Sequence, residues 1–493
     1  MKTCLALLSI IGINTAVKAV APNIIVFISD DQNSNSLGCY GAKFETPNID
    51  RLAREGVRHT RAYTTSTLCV PTRYSCLTGA YPSRCRNELF GPLTEQPSIR
   101  NGAFFCDTDR TVVTALRAAG YSTGATGKWH NDSHSGFELP ADADPADPSV
   151  VAKLKGNQAE LRRRMNIYGF DYSECQTFGN LSNLPDAMQH HNVEYTVKGA
   201  LDFLAQAPAE KPFFLWVAFT TTHGPRERID SGDIRLTPEG YTDKHLGVIP
   251  PRSTFVKDNE KWIDKQTMLW MDAGVGAVLK KLDDGGLSDN TLVIFLSDQQ
   301  NSGKATPYEC GSNIPFIARW PEVIKPGTVN HTLLDVTDMA ATFLDIANAK
   351  PVEGMYVDGM SIVPVWKGET ETLKPAIYTE IGFSKSVVTR DFKYIAIRYN
   401  ERALKQFGNN PPVSGTIVEH TRLGTFNVLW EKTPFGQSRD FGLVDPDQLY
   451  DLRKDPGEKV NLANNPEYDA ILKEMKEHLS RYIRDIGRPF GEF

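Results

Sequence analysis

Two aspartates stand side by side, Asp30-Asp31, where the apolar run Asn23-Ile-Ile-Val-Phe-Ile-Ser29 ends. Adjacent like charges at low dielectric are costly without a cation between them. Asp298 and Gln299 follow a second run of the same kind, Thr291-Leu-Val-Ile-Phe-Leu296, and the four side chains together offer an all-oxygen ligand set. Such a set suits a hard divalent ion, Ca²⁺ or Mg²⁺, better than Zn²⁺. Taken alone, an Asp-Asp pair is a helix cap or a solvated surface feature. Two such pairs on two similar runs point to a metal.

Cys69-Val70-Pro71-Thr72-Arg73 opens a helical stretch, with Pro71 in its first turn. A helix start offers free N–H groups and a positive dipole end, which suit an anionic substrate and are expected to depress a thiol's pKa. Arg73 adds a fixed cation, and a structural cysteine at a helix start is the competing reading. Lys128 and His130, two apart at the end of another strand-like stretch, can share one direction. His223 precedes the turn Gly224-Pro225, and Lys304 follows the run at 291–296 by a few residues. Each of these alone is an ordinary surface residue. Together they give a metal, cationic groups and two imidazoles around one cysteine, the set needed to hydrolyse an anionic ester.

Four strand-like segments position these groups. The runs at 23–29, 213–219 and 291–296 are continuous and apolar, the pattern of parallel strands buried on both faces, and Tyr121 to Gly127 is a fourth, shorter strand. Helical patterns lie between them: Thr46 to Glu55, with Thr46 placed to cap, Thr111 to Ala119, a stripe of Val193, Val197, Leu201 and Leu204, and another of Val275, Val278, Leu279 and Leu282. Ala141 to Gln158, rich in Ala, Asp and Pro, reads as a surface insertion. The alternation predicts an α/β fold with a large, mostly parallel or mixed central sheet flanked by helices on both faces. In such sheets ligands bind beyond the carboxyl ends of the strands, which is where the ionisable residues accumulate. The polar stretch Trp366 to Pro375 reads as a linker to a smaller C-terminal α+β subdomain, with strand-like runs at Ser386 to Thr389, Lys393 to Ile397 and Gly415 to Val418 and a terminal helix from Pro466 to Arg481.

With 493 residues, 54 Lys+Arg against 60 Asp+Glu and 40% hydrophobic residues, the chain lacks the basic footprint of a nucleic-acid binder and the composition of a disordered or multi-span membrane protein. Met1 to Ala19 has the basic start, short apolar centre and small-residue ending of a secretory leader, so the expectation is an exported protein, periplasmic or secreted, with no membrane span. Cys4 leaves with the leader. Cys39, Cys69, Cys76, Cys85, Cys106, Cys175 and Cys310 remain, an odd set in an oxidising compartment, and Cys85 with Cys106 is the pairing that proximity suggests. The expected division is a signal at 1–19, a catalytic domain at 20–367 and a subdomain at 368–493.

The order Asp30-Asp31, Cys69-x-Pro71-Thr72-Arg73, Gly127-Lys128-Trp129-His130, Thr222-His223-Gly224-Pro225 and Ser297-Asp298-Gln299 with Lys304 resembles the type I, formylglycine-dependent sulfatases of the alkaline phosphatase superfamily. The ending Leu449-Tyr450-Asp451-Leu452-Arg453-Lys454-Asp455-Pro456-Gly457-Glu458 resembles that family's C-terminal subdomain. The resemblance implies that a maturation enzyme oxidises Cys69 to formylglycine, whose hydrate is the nucleophile. It also implies one calcium ion on Asp30, Asp31, Asp298, Gln299 and the residue at 69. Arg73 would support the nucleophile, Lys128 and Lys304 would bind sulfate oxygens, His223 with Lys304 would assist the leaving alcohol, and His130 would expel sulfate by removing a proton.

The sequence departs from that family in three places. Thr72 stands where Ser is usual, Gln299 where Asn or His is usual, and Asn131-Asp132-Ser133-His134 where Leu-Gly is commoner, which assigns Asn131, Asp132 and His134 to substrate recognition. The implied substrate is a sulfated carbohydrate. The alternatives are a phosphate or phosphonate ester hydrolase of the same superfamily, against which stands the absence of a second, His-rich zinc set, and a non-catalytic sulfated-glycan binding protein.

Overall fold

The computed structural model describes residues 21–97, 99, 102–133, 136–224, 235–257, 263–401 and 445–493. The leader at 1–19, His134 and the run Gly415 to Val418 lie outside them. Nine strands form one sheet: β1 (Asn23–Ser29), β2 (Val57–Tyr63), β3 (Ser122–Lys128), β4 (Tyr172–Thr177), β5 (Phe213–Ala218), β6 (Thr291–Ser297), β7 (Asn313–Arg319), β8 (Thr328–Asn330) and β9 (Leu334–Asp335). Their spatial order is β8-β2-β7-β6-β1-β5-β3-β4, with β9 also paired to β2. The three apolar runs are therefore adjacent, β1 between β6 and β5, and every neighbouring pair is parallel except those made by β7.

β7 contains Pro315, a residue that cannot donate to a ladder. It sits at an irregularity, between Ile314 paired with Ala62 and Phe316 paired with His59, where β2 shifts register. β2 and β4 escape the apolar-run criterion because each mixes polar residues into its length, as in Val57-Arg-His-Thr-Arg-Ala-Tyr63.

Alternation along β1 splits the core in two. Ile24, Val26 and Ile28 face one layer with α2 (Cys69–Thr78), α3 (Val112–Ala118) and, further along, the helix Asp338–Ile346; Ile25 and Phe27 face the other with α1 (Pro47–Glu55), the helix Val193–Gln206 and the helix Ile263–Asp284. Helices thus cover both faces of a mixed α/β sheet. Thr46 does not cap α1 with its side chain; its hydroxyl donates to Asp50 and accepts from the Gly38 N–H. The stretch expected as a surface insertion is largely helix, Pro148–Ile167, which buries Leu154, Leu161 and Met165 after an Asp147 cap.

Past the helix turn at Val363–Trp366, four antiparallel strands, Ile377–Ile381, Ser384–Val388, Phe392–Ile397 and Asp447–Asp451, form a second sheet. The helix Asp469–Ile486 packs on it through Met475 and Leu479. Among the described residues no helix is long and apolar enough to cross a membrane.

Candidate active site

The carboxyl ends of β1, β3 and β6 and the segment after β5 meet at one point, joined by the backbone. The Asp30 N–H donates to the Thr221 carbonyl at 2.9 Å, the Thr222 N–H to the Asp30 carbonyl at 2.7 Å, and the Asp298 N–H to the Ser29 carbonyl at 3.1 Å. Asp31, His130 and Ala305 are non-glycine residues held in the left-handed region, φ 59°, 62° and 62°, a costly conformation that re-aims the chain just past each strand end. Gly127 is also left-handed, and a Cβ there would come within 1.9 Å of the Ala218 carbonyl, so only glycine lets β3 approach β5 before Lys128.

Cys69 begins α2, whose ten residues are all buried. Leu68 precedes it in extended conformation and caps nothing with its side chain. The start is tied down by Thr72, whose hydroxyl lies 2.6 Å from the Ser66 carbonyl, 2.9 Å from the Leu68 carbonyl and 2.6 Å from the Thr64 hydroxyl. Cys69 Sγ lies 3.2 Å from Asp30 Oδ1, 3.2 Å from Gln299 Nε2 and 3.9 Å from Lys304 Nζ.

The cations interleave with the carboxylates. Lys128 Nζ donates to Asp30 Oδ2, Lys304 Nζ to Asp31 Oδ2 at 2.7 Å, and Arg73 Nε and Nη2 to Asp298 Oδ2 at 3.1 and 2.9 Å. His223 Nε2 lies 3.7 Å from Asp31 Oδ2. Burial raises the Asp30 carboxyl, but Lys128, His223, Arg73 and Lys304 outweigh it and hold Asp30 well below the usual carboxylate range; Asp31 is lowered in the same way, chiefly by Lys304. Asp298 is pushed up to about 7 by burial and by Asp30, despite Arg73. Burial also lowers His223, more than Asp30 and Asp31 raise it. Cys69 is a correction to the helix-start expectation: burial, Asp298 and Asp30 push its thiol up, so the unmodified side chain is no thiolate.

The Sulfatase family model matches residues 22–349, more than half of the chain. The chain belongs to the sulfatase family. It is accordingly a sulfuric ester hydrolase, and a second model, N-sulphoglucosamine sulphohydrolase, C-terminal, matches residues 303–408. This sulfatase is 27% identical to an ulvan-active sulfatase of Formosa agariphila, over 96% of its own length and 82% of the relative's. It is 26% identical to an N-acetylgalactosamine-6-O-sulfatase of Bacteroides thetaiotaomicron, over 93% and 92%. Among solved structures, one in complex with its substrate D-glucosamine-2-N,6-O-disulfate superposes with a TM-score of 0.62 at 20% identity, covering 94% of this chain and 98% of that one.

In this sulfatase four residues with metal-ligating atoms lie close together. Ligand atoms of Asp30, Asp31, Cys69 and His223 lie within 4.8 Å of one another. His223 is an addition to the set read from sequence. Asp298 accepts from the Asp31 N–H with Oδ1, at 3.0 Å, and from Arg73 with Oδ2. Gln299 Nε2 donates to Asp31 Oδ1, and its Oε1 is buried with no hydrogen-bond partner among the described residues. An orphaned amide oxygen beside two buried carboxylates fits a hard divalent cation.

Asn131 and Asp132 are buried, Asn131 Nδ2 donating to the Val70 carbonyl at 3.2 Å and Asp132 Oδ2 accepting from Trp129 Nε1 at 2.8 Å. Sequence reasoning passed over His191, whose Nε2 meets the His223 carbonyl at 2.9 Å and whose Nδ1 meets Thr220 Oγ1 at 2.8 Å; burial lowers its pKa to about 3, so it acts as a neutral strut. Cys39, Cys69, Cys76, Cys85, Cys106 and Cys175 are free thiols, and the expected Cys85–Cys106 pair is not formed: the Cys85 thiol is turned to the Phe104 carbonyl, 3.5 Å away.

Proposed function

We propose that this sulfatase is an exported enzyme that removes sulfate from a sulfated carbohydrate, with Cys69 matured to formylglycine by a separate enzyme and one Ca²⁺ held by Asp30, Asp31, Asp298 and Gln299. One observation carries the reading. Two ammonium groups, Lys128 buried and Lys304 half-buried, grip Asp30 and Asp31 beside Cys69, so an anion arriving at Cys69 meets two fixed cations. The carbohydrate class is supported by the relatives' names, one acting on ulvan and one on N-acetylgalactosamine 6-O-sulfate esters.

When present, hydrated formylglycine at position 69 would supply the attacking hydroxyl, and a cation held by Asp30, Asp31, Asp298 and Gln299 would draw charge from a sulfate oxygen. The chain's own groups do the rest. Lys128 and Lys304 turn N–H donors to the sulfate oxygens and hold the sulfur in line with position 69. Arg73 fixes Asp298 and, through Nη1 on the Lys128 carbonyl at 3.3 Å, the backbone beneath Lys128. His223, held by His191 and with Nδ1 at the Gly224 carbonyl, 2.8 Å away, points Nε2 into the site, where with Lys304 it would assist departure of the alcohol. His130 would accept the proton of the second hydroxyl at position 69, the proton loss that sulfate release requires. Thr72 retains the hydroxyl that Ser would present to the maturation enzyme.

A panel of position-defined sulfated monosaccharides and oligosaccharides tests the reading, run beside the matching phosphate esters, with mass analysis of the peptide Ala62 to Arg73 from the native host. Sulfate release from at least one sugar, and a residue 69 lighter than cysteine, are expected. Unmodified cysteine with no release from any sulfated sugar, or faster phosphate release, overturns it.

A further inference from the structure

Lys128 Nζ is buried and has two acceptors among the described residues, Asp30 Oδ2 and the side-chain oxygen of Asn180, the latter at 2.7 Å. An ammonium has three donors. With one on Asp30 and one on Asn180, the third is left for an incoming anion. We infer that Asn180 is a positioning residue for the sulfate-binding lysine, and that its neutral side chain is what keeps the positive charge of Lys128 available. The inference rests on the reading of Lys128 as a sulfate ligand given above.

Two further features support it. Asn180 comes from the segment after β4, and that segment is bonded to the residues beyond β3: the Trp129 N–H donates to the Thr177 carbonyl and the His130 N–H to the Phe178 carbonyl, both at 2.9 Å. One stretch of chain therefore fixes the side chain of Lys128 and the backbone of His130 together. The charge count points the same way. Asp30, Asp31 and Asp298 already match Lys128, Lys304 and Arg73 one for one. A fourth carboxylate would turn the balance against an anion, whereas an amide oxygen orients the ammonium without cancelling it.

The test is calorimetric titration of inorganic sulfate into the full-length, Ca²⁺-loaded protein, comparing wild type, Asn180→Ala, Asn180→Asp and Lys128→Ala. Removing the acceptor in Asn180→Ala is expected to weaken sulfate binding about tenfold, the scale of one charge-assisted hydrogen bond. Asn180→Asp, the same size, is expected to weaken it further, toward roughly a hundredfold, and KM for a sulfate ester is expected to rise more than kcat falls. A merely structural role would harm Asn180→Ala more than the isosteric Asn180→Asp. That order, or sulfate binding as tight as wild type in Asn180→Asp, overturns the inference. Unchanged binding in Lys128→Ala would instead overturn the reading of Lys128 on which it rests.

Discussion

Buried charge is gathered in two regions, around Cys69 and at the junction between the two sheets, and the two are held differently. At the junction Lys374 pairs with Asp335 and Asp338 at 2.7 Å each, Lys385 with Glu380 at 2.7 Å, and Lys393 with Glu309 at 3.0 Å and Glu458 at 3.4 Å. Backbone closes these carboxylates off: Asp338 accepts from the Asp335 and Met360 N–H groups, Glu380 from the Ser83 N–H and Glu458 from the Glu309 N–H. In the site, the carboxylates of Asp30 and Asp31 are held only by side chains among the described residues: Lys128 and Cys69 on one, Gln299, Asn301, Lys304 and His223 on the other. Side chains can change partner while backbone N–H groups cannot. Charge closed off by backbone is scaffold at the junction, whereas Asp30 and Asp31, held by movable groups, stay open to a ligand, with Asp298 as the site's backbone-fixed member.

The largest expected effect separates the two at once. Cys69→Ala should lower turnover by about 10⁴-fold or more, the scale of losing a nucleophile, while a single cooperative unfolding transition by circular dichroism persists. Lys374→Met is the mirror experiment. It leaves Asp335 and Asp338 buried without their cation and should cost about 3–5 kcal/mol in denaturant unfolding, with kcat/KM per folded molecule unchanged. Lys128→Ala should reduce kcat/KM by roughly 10²–10³-fold, as removal of one fixed donor does, and shift the unfolding midpoint less than Lys374→Met. Smallest of all, Thr72→Ser keeps the hydroxyl that ties Ser66 and Leu68 to α2 and loses one methyl, about 1 kcal/mol of stability with activity retained. If Lys374→Met abolished activity in folded protein, the distinction between the regions would fail.

Much of this was legible in the sequence because parallel strands buried on both faces leave unbroken apolar runs, and β1, β5 and β6 are such runs with ionisable residues at their ends. What escaped depends on contacts distant in the chain. Asn180 and His191 follow weakly patterned segments, and only the pairing of β4 with β3 brings the first to Lys128. β7 was hidden by Pro315, and the helix Pro148–Ile167 by a thin buried stripe in a polar surround. Asn131 and Asp132 looked like recognition residues because they follow His130. Both are buried, Asn131 against the Val70 carbonyl and Asp132 against Trp129.

The cation is the point on which the account is most exposed, since Asp30, Asp31 and the orphaned Gln299 oxygen are read as an ion's ligands. Metal analysis of the purified protein decides it. One equivalent of calcium in the wild type, lost in Asp31→Asn together with activity, is the predicted result; a fully active sulfatase containing no divalent metal would contradict it.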